Sequence, residues 1–205
     1  MIDIAKFHNG AEPRNGQCTT IAIDGRGASG KSTLALFLGT ALDGFTVING
    51  DDFFESHDDE IIWGEFNEER FRNEVLFPVN LGRREFTIRP FDFPQGELGP
   101  PKHLSINRGV IIERCFSFKF PIEWDIRIWV ETPKKICLER GLKREGAKVL
   151  SKRATAAWTQ IWQPRESHYI AKSSPRQIAD YVVDGTQPFE DAEWLPRSAQ
   201  DRNGQ

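Results

Sequence analysis

The chain has 205 residues, close to the size of one domain, and 39% hydrophobic and 28% charged residues are ordinary values for a globular protein. Its 27 Lys and Arg against 30 Asp and Glu leave a net charge of −3, without the basic excess of a protein that binds polymeric nucleic acid. No apolar run approaches the roughly 18 residues of a membrane span.

Met1 to Gln17 is irregular and lacks the apolar stretch of a signal peptide, so it reads as a leader. Cys18, Cys115 and Cys137 are widely spaced with no CxxC, which reads as free thiols and a cytoplasmic protein. Thr19 to Ile23 is a β-branched run ending at Asp24-Gly25, the signature of a buried strand. Leu34, Phe37, Leu38, Ala41 and Leu42 recur at helical spacing, predicting a helix from Lys31 to Leu42. Phe45 to Ile48 is a second strand, closing at Asn49-Gly50-Asp51. Asn67 is placed to cap a helix, with Glu68 and Glu69 in its first turn and Phe66 and Phe71 spaced as a hydrophobic staple.

Thr87 to Arg89 reads as a short strand before a Pro- and Gly-rich loop, Pro90 to Pro101. Val110 to Ile112 and Ile126 to Val130 are further strands, and Thr132-Pro133 opens a helix. Ala154, Ala157, Trp158, Ile161 and Trp162 form an apolar helical stripe. Ala179 to Val183 is the last strand, and the tail beyond Phe189 is polar enough to fray. This alternation implies a mostly parallel α/β sheet with helices on both faces and ligands at the strands' carboxyl ends. The organisation expected is a leader at 1–17, one domain at 18–189 and a polar tail at 190–205.

Gly25-Arg26-Gly27-Ala28-Ser29-Gly30-Lys31-Ser32 fits G-x-x-x-x-G-K-S/T at every fixed position, between a predicted strand and a predicted helix. Glycines let the backbone curl so that N–H groups face phosphate oxygens beside a helix N-terminus. Lys31 reaches the β- and γ-phosphates of such a ligand, and the Ser32 hydroxyl sits on Mg²⁺. No NKxD is present to read guanine, which argues against a GTPase. Asp51, at the end of the second strand, suits a group that accepts a proton from an attacking hydroxyl. The aromatics beside it could wall a small acceptor.

These elements resemble the uridine kinase-like family of small P-loop kinases, which includes nucleoside, nicotinamide riboside, pantothenate and phosphoribulose kinases. The resemblance rests on Asp24 to Thr33, on Asp51-Asp52-Phe53-Phe54, and on Pro90-Phe91-Asp92-Phe93 with Phe91 where tyrosine is usual. Val110 to Glu113, then Trp129 to Pro133 with Arg140 and Arg144, and Ala179 to Gly185 continue it; together it spans Thr19 to Thr186. It implies a P-loop NTPase three-layer α/β/α sandwich with a small helical lid, using ATP and Mg²⁺ to phosphorylate a hydroxyl of a small metabolite. By that likeness Asp51 is the base, Phe54, Asp92 and Phe93 bind the acceptor, and Glu113 lies near Mg²⁺ through water. Arg140 and Arg144 stabilise the transferring phosphoryl group. The likeness is compatible with a homodimer.

The chain departs from the family at Arg114-Cys115, where glycine normally follows the glutamate. A large cation there either narrows the site or contacts phosphate. Plainer readings stand beside each assignment. Asp51, Asp52 and Asp92 are ordinary turn residues, Glu113 a peripheral charge, and Arg140 and Arg144 a solvated helix face. Trp158 and Trp162 read as packing, Phe53, Phe54, Trp63 and Phe93 as core or pocket, and His57 as a surface residue. Two rival functions remain: a nucleoside monophosphate kinase, with Arg83, Arg84 and Arg89 facing an acceptor phosphate, and a non-catalytic nucleotide-binding module.

Overall fold

A computed structural model describes residues 18–55, 65–144, 155–192 and 194–196. Expectations for the leader, for His57, Trp63 and Ala154, for the part of the lid following Arg144, and for the last residues of the tail fall outside this set. In chain order the strands are β1 (Thr19–Gly25), β2 (Phe45–Asn49), β3 (Phe54–Glu55), β4 (Glu65–Phe66), β5 (Glu85–Ile88) and β6 (Phe91–Asp92). They continue with β7 (Glu97–Leu98), β8 (Lys102–Ser105), β9 (Gly109–Glu113), β10 (Ile126–Glu131), β11 (Tyr181–Asp184) and β12 (Trp194–Pro196).

Six of them form the central sheet in the order β12-β11-β10-β1-β9-β2, parallel throughout except for β12. A parallel sheet must be covered on both faces, and the central strands are accordingly apolar at nearly every position. Side chains alternate between the two cores. Ile21, Ile23 and Ile111 join Leu34, Ala35 and Leu38 of helix α1 (Lys31–Ala41) on one face. Ala22, Val110 and Ile112 join Phe53, Phe71 and Val75 on the other. That second face is covered by α2, which runs from Glu68–Phe71 through a wider π turn (Arg72–Leu76) into Phe77–Asn80.

The start of α2 follows the predicted chemistry. The Asn67 side chain accepts the Arg70 N–H at 2.8 Å, and Phe66 and Phe71 meet with ring centroids 5.5 Å apart. Phe71 is fully buried and also stacks on Phe53 at 5.0 Å and Phe120 at 4.6 Å. Burial of one such ring contributes about 1.5–3 kcal/mol. Helix α3 (Lys134–Arg144) follows β10, and a π turn (Ala157–Trp162) leads into α4 (Gln163–Ser173). The short α5 (Pro175–Ile178) returns the chain to the sheet.

Three local expectations need correction. The Pro- and Gly-rich loop contains a hairpin, β6 with β7, too short to show a periodicity. The last parallel strand starts at Tyr181 instead of Ala179, because Asp180 turns inward to accept the Arg127 N–H at 2.8 Å. Beyond Phe189 the chain does not fray at once: Ala192 is buried and β12 pairs antiparallel with β11. Trp194 packs edge-on to Tyr181 at 6.1 Å, so one aromatic contact anchors an otherwise polar stretch.

Register places the functional edge. Asn49, Ile23 and Glu113 are aligned across β2, β1 and β9, and the chain leaves each strand at that same carboxyl end. The order of the strands reverses about β1, and α/β sheets bind ligands at such a switch point.

Candidate active site

Four donors fix the start of the loop that leaves β1. The fully buried Asp24 carboxylate accepts from Gly25 N–H (2.6 Å), Phe116 N–H (2.9 Å), Phe118 N–H (3.2 Å) and the Tyr169 hydroxyl (2.7 Å). Burial pushes its pKa up, and these hydrogen bonds, with Lys31, oppose that shift. Ala28 (φ 58°) and Gly30 (φ 109°) take left-handed conformations that curl the backbone into α1. Thr132 donates its hydroxyl to the Ser29 carbonyl at 2.9 Å, tying the loop to the end of β10.

Lys31 is buried under the loop. Its Nζ donates to the Arg26 carbonyl at 2.8 Å and lies 3.2 Å from Cys115 Sγ. Burial alone would lower its pKa, but the Cys115 sulfur that accepts its hydrogen bond and the Glu113 and Asp24 carboxylates outweigh that and keep the ammonium charged. The Cys115 thiol is pushed up to about 12 by burial, so it is protonated at neutral pH. Ser32 donates its hydroxyl to Glu113 Oε1 at 2.9 Å. Burial raises the pKa of Glu113, with Asp51 and Asp52 adding to the rise and Lys31 and Ser32 opposing it. Glu113 is 4% exposed, so it is not a peripheral charge.

Two cavities meet at this edge. One, of about 680 Å³, is lined by Gly27 to Thr33 of the loop (Ser29 excepted), by Glu113 and Arg140, and by Gly185 and Gln187 to Glu190. The other, of about 700 Å³, is lined by Phe54, Phe66, Phe93 and Phe120 on one side and Trp158 and Trp162 on the other. Gly27, Asp51, Arg114, Cys115 and Arg144 line both. Both volumes fall within the range of small-molecule sites. No group of three or more His, Cys, Asp or Glu able to hold a metal occurs among the described residues. A Mg²⁺ ion here would therefore depend on Ser32, on the Glu113 carboxylate beside it and on phosphate oxygens, the usual habit of that ion. The hydroxyl–carboxylate pair fits such an ion.

The structure brings most of the predicted residues together. Asp51 stands on the turn Gly50–Phe53, held by its N–H to Asn49 Oδ1 at 2.9 Å, at the junction of the cavities. Arg140 donates to the Gly185 carbonyl at 2.7 Å and is thus not a freely solvated side chain. Phe54 and Phe93 lie 5.7 Å apart in the aromatic wall. Asp92 is not brought in: its carboxylate accepts the Gln95 N–H at 3.2 Å in the β6–β7 turn and lines neither cavity. Arg83, Arg84 and Arg89 also line neither. Arg84 donates to the Asn107 carbonyl and Arg89 to those of Leu98 and Gly99.

Sequence reasoning missed Glu166. Its Oε1 accepts the Gly27 N–H at 2.8 Å and its Oε2 lies 3.6 Å from Arg26 Nη1, a carboxylate set against the phosphate loop from α4. Burial raises its pKa. Gly27 lets that carboxylate approach closely, since a Cβ would stand 2.9 Å from Glu166 Oε1 and 3.1 Å from the Trp158 ring. The separation of 139 residues leaves no local signal for this contact. Trp158 is packed as expected, 2% exposed, yet also lines the second cavity.

No family model matches the chain, and no curated protein matches it. Solved structures do. A protein from Bacillus stearothermophilus described as a possible uridine kinase superposes with a TM-score of 0.63 at 15% identity, over 87% of this chain and 94% of that one. A protein from Silicibacter sp. TM1040 described as a fructose transport system kinase gives a TM-score of 0.56 at 19% identity, over 84% of this chain and 95% of that one. The chain shares its fold with these two proteins. No described helix is long and apolar enough to cross a membrane.

Proposed function

We propose that the protein is an ATP- and Mg²⁺-dependent kinase that transfers the γ-phosphoryl group to a hydroxyl of a nucleoside or ribose-like metabolite. One observation carries this reading: a cavity rimmed by the phosphate loop and an aromatic cavity meet at Asp51 and Gly27. Phosphoryl transfer is mainly a matter of positioning and charge stabilisation, and such a junction supplies both.

In this reading Gly25 to Thr33 hold the nucleotide's phosphates, and Gly185 to Glu190 flank its base. A bound Mg²⁺ would neutralise charge on the β- and γ-phosphates. Lys31, Arg140 and Arg144 add positive charge to the same region, and Ser32 and Glu113 orient the metal's ligands. Asp51 orients the acceptor hydroxyl and takes its proton. The monophosphate kinase reading loses its support, because the three arginines it relied on bind backbone or lie elsewhere.

The test is ADP release from MgATP with uridine, cytidine, nicotinamide riboside, pantothenate, simple sugars and nucleoside monophosphates. Acceptor-dependent ADP release supports the proposal. MgATP hydrolysis that no acceptor changes, or a failure to bind MgATP, overturns it.

A further inference from the structure

The Arg114 side chain is the most informative feature of the second cavity. Its aliphatic part lies over Gly50, whose absent Cβ would meet Arg114 Cβ, Cγ and Cδ at 2.6 Å. Its guanidinium lies over the Phe66 ring, with Cζ 3.3 Å from the centroid, and 5.5 Å from that of Phe120. Both rings belong to the aromatic cavity and neither lines the nucleotide cavity, so the charged end points to the acceptor side.

A guanidinium carries five N–H donors in a rigid fork, and the half-buried Arg114 lines both cavities. Stacking on Phe66 satisfies the face and leaves the edges. The Arg114 side chain has no hydrogen bond or ion pair among the described residues. Its electrostatic neighbours include Asp51 and Glu68, and Glu68 is paired to Arg72 at 2.9 Å. Of the other acids lining this cavity, Glu166 is held by Gly27 and Arg26. Lys119, which lies over the Phe116 and Tyr169 rings, and Arg165 stand nearer the mouth of the same cavity. Glu68 and Glu166 are thus committed elsewhere, and no carboxylate among the described residues is hydrogen-bonded to the guanidinium.

We propose that Arg114 is an anion anchor, so that the molecule entering the aromatic cavity carries a carboxylate or phosphate monoester as well as the hydroxyl presented to Asp51. Calling that molecule the acceptor rests on the kinase reading above; its charge rests on Arg114. Bidentate pairing with a planar fork suits either anion. Arg114 thus sets specificity, favouring an anion over neutral sugars and nucleosides, which bring no opposite charge to the guanidinium.

The test is equilibrium binding with Mg²⁺ and ADP saturating the phosphate loop, so that no turnover is required. Matched pairs are titrated into the full chain: ribose 5-phosphate against ribose, and gluconate against sorbitol. Trp158 and Trp162 fluorescence or calorimetry reports occupancy. At least one charged member should bind about tenfold tighter than its neutral partner, and the pair that shows it distinguishes phosphate from carboxylate. Arg114→Met should bring the preference within about twofold, and Arg114→Lys should restore part of it. Should Arg114→Met not fold, Arg114→Lys decides, since it keeps the charge but loses the fork and should reduce the preference, whereas an unchanged preference overturns the anchor. Equal affinity for both members of each pair, including binding of neither, overturns the anchor. Neutral acceptors phosphorylated as well as charged ones would leave the kinase standing and overturn the anchor alone. Charge-selective binding without phosphoryl transfer would do the reverse.

Discussion

Tyr169→Phe removes one hydroxyl and leaves the ring in place against Phe116, 4.9 Å away by centroids. What is lost is a 2.7 Å donor to the fully buried Asp24 carboxylate, which keeps its bonds from Gly25, Phe116 and Phe118. A hydrogen bond to a buried charged group is worth about 1.5–3 kcal/mol. For a chain of this length each kcal/mol moves the melting temperature by about 2–4 °C, so the expected drop is about 3–12 °C. Calorimetric unfolding of the ligand-free protein at pH 7 measures it. The sign of the pH dependence is also set. The hydroxyl favours the carboxylate over the carboxylic acid, so the gap between wild type and variant should narrow as pH falls through the Asp24 titration. Burial raises that titration above the ordinary 3.8. A melting point unchanged at pH 7, or a gap that widens on acidification, refutes the view that α4 locks the head of the phosphate loop through Asp24.

Burial raises the Glu166 pKa above its usual 4.5, so the folded protein holds that proton more firmly than the unfolded chain. Its contribution to stability is therefore most favourable below the ordinary value and declines as pH rises toward the folded value. Glu166→Gln, which can still accept the Gly27 N–H, should melt higher than wild type at pH 7 and converge with it below about pH 4; thermal scans across pH decide, and a lower melting point at pH 7 contradicts the account. Gly141→Val places a branched side chain where a Cβ alone would stand 2.3 Å from the Trp158 ring, costing about 1–3 kcal/mol by urea unfolding. A neutral result there means that α3 and the tryptophan are not in contact. Arg140→Met removes the bond to the Gly185 carbonyl and a cation from the nucleotide cavity, and MgATP should bind about tenfold more weakly by calorimetry.

The parallel sheet and the phosphate loop were legible because both are local. Buried central strands show as unbroken β-branched runs, and the loop's glycines, Lys31 and Ser32 sit within eight consecutive residues of one motif. The cap and staple at Asn67, Phe66 and Phe71 were legible for the same reason. The support that α4 gives the phosphate loop was not, because it is assembled from distant segments. Tyr169 meets Asp24 across 145 positions, and Glu166 meets Gly27 across 139. Trp158 shows the limit of periodicity, since helical spacing looks the same whether a face packs into core or walls a cavity. Asp92 shows the limit of resemblance: the residues match the family's element, but a turn hydrogen bond takes the carboxylate. Arg114 stood out in the sequence only as a departure, and its direction came from Gly50 and Phe66 beneath it.

The most direct measurement follows the label of [γ-³²P]ATP in the presence of Mg²⁺ and the best-binding acceptor, for wild type and Asp51→Asn. The account predicts that label leaves ATP for the acceptor hydroxyl and not for water. It also predicts that Asp51→Asn still binds MgATP while transfer falls by about 10²–10⁴-fold, the range for loss of a positioned base. Label released as inorganic phosphate, or transfer by Asp51→Asn within tenfold of wild type, would contradict a kinase working at the junction of these two cavities.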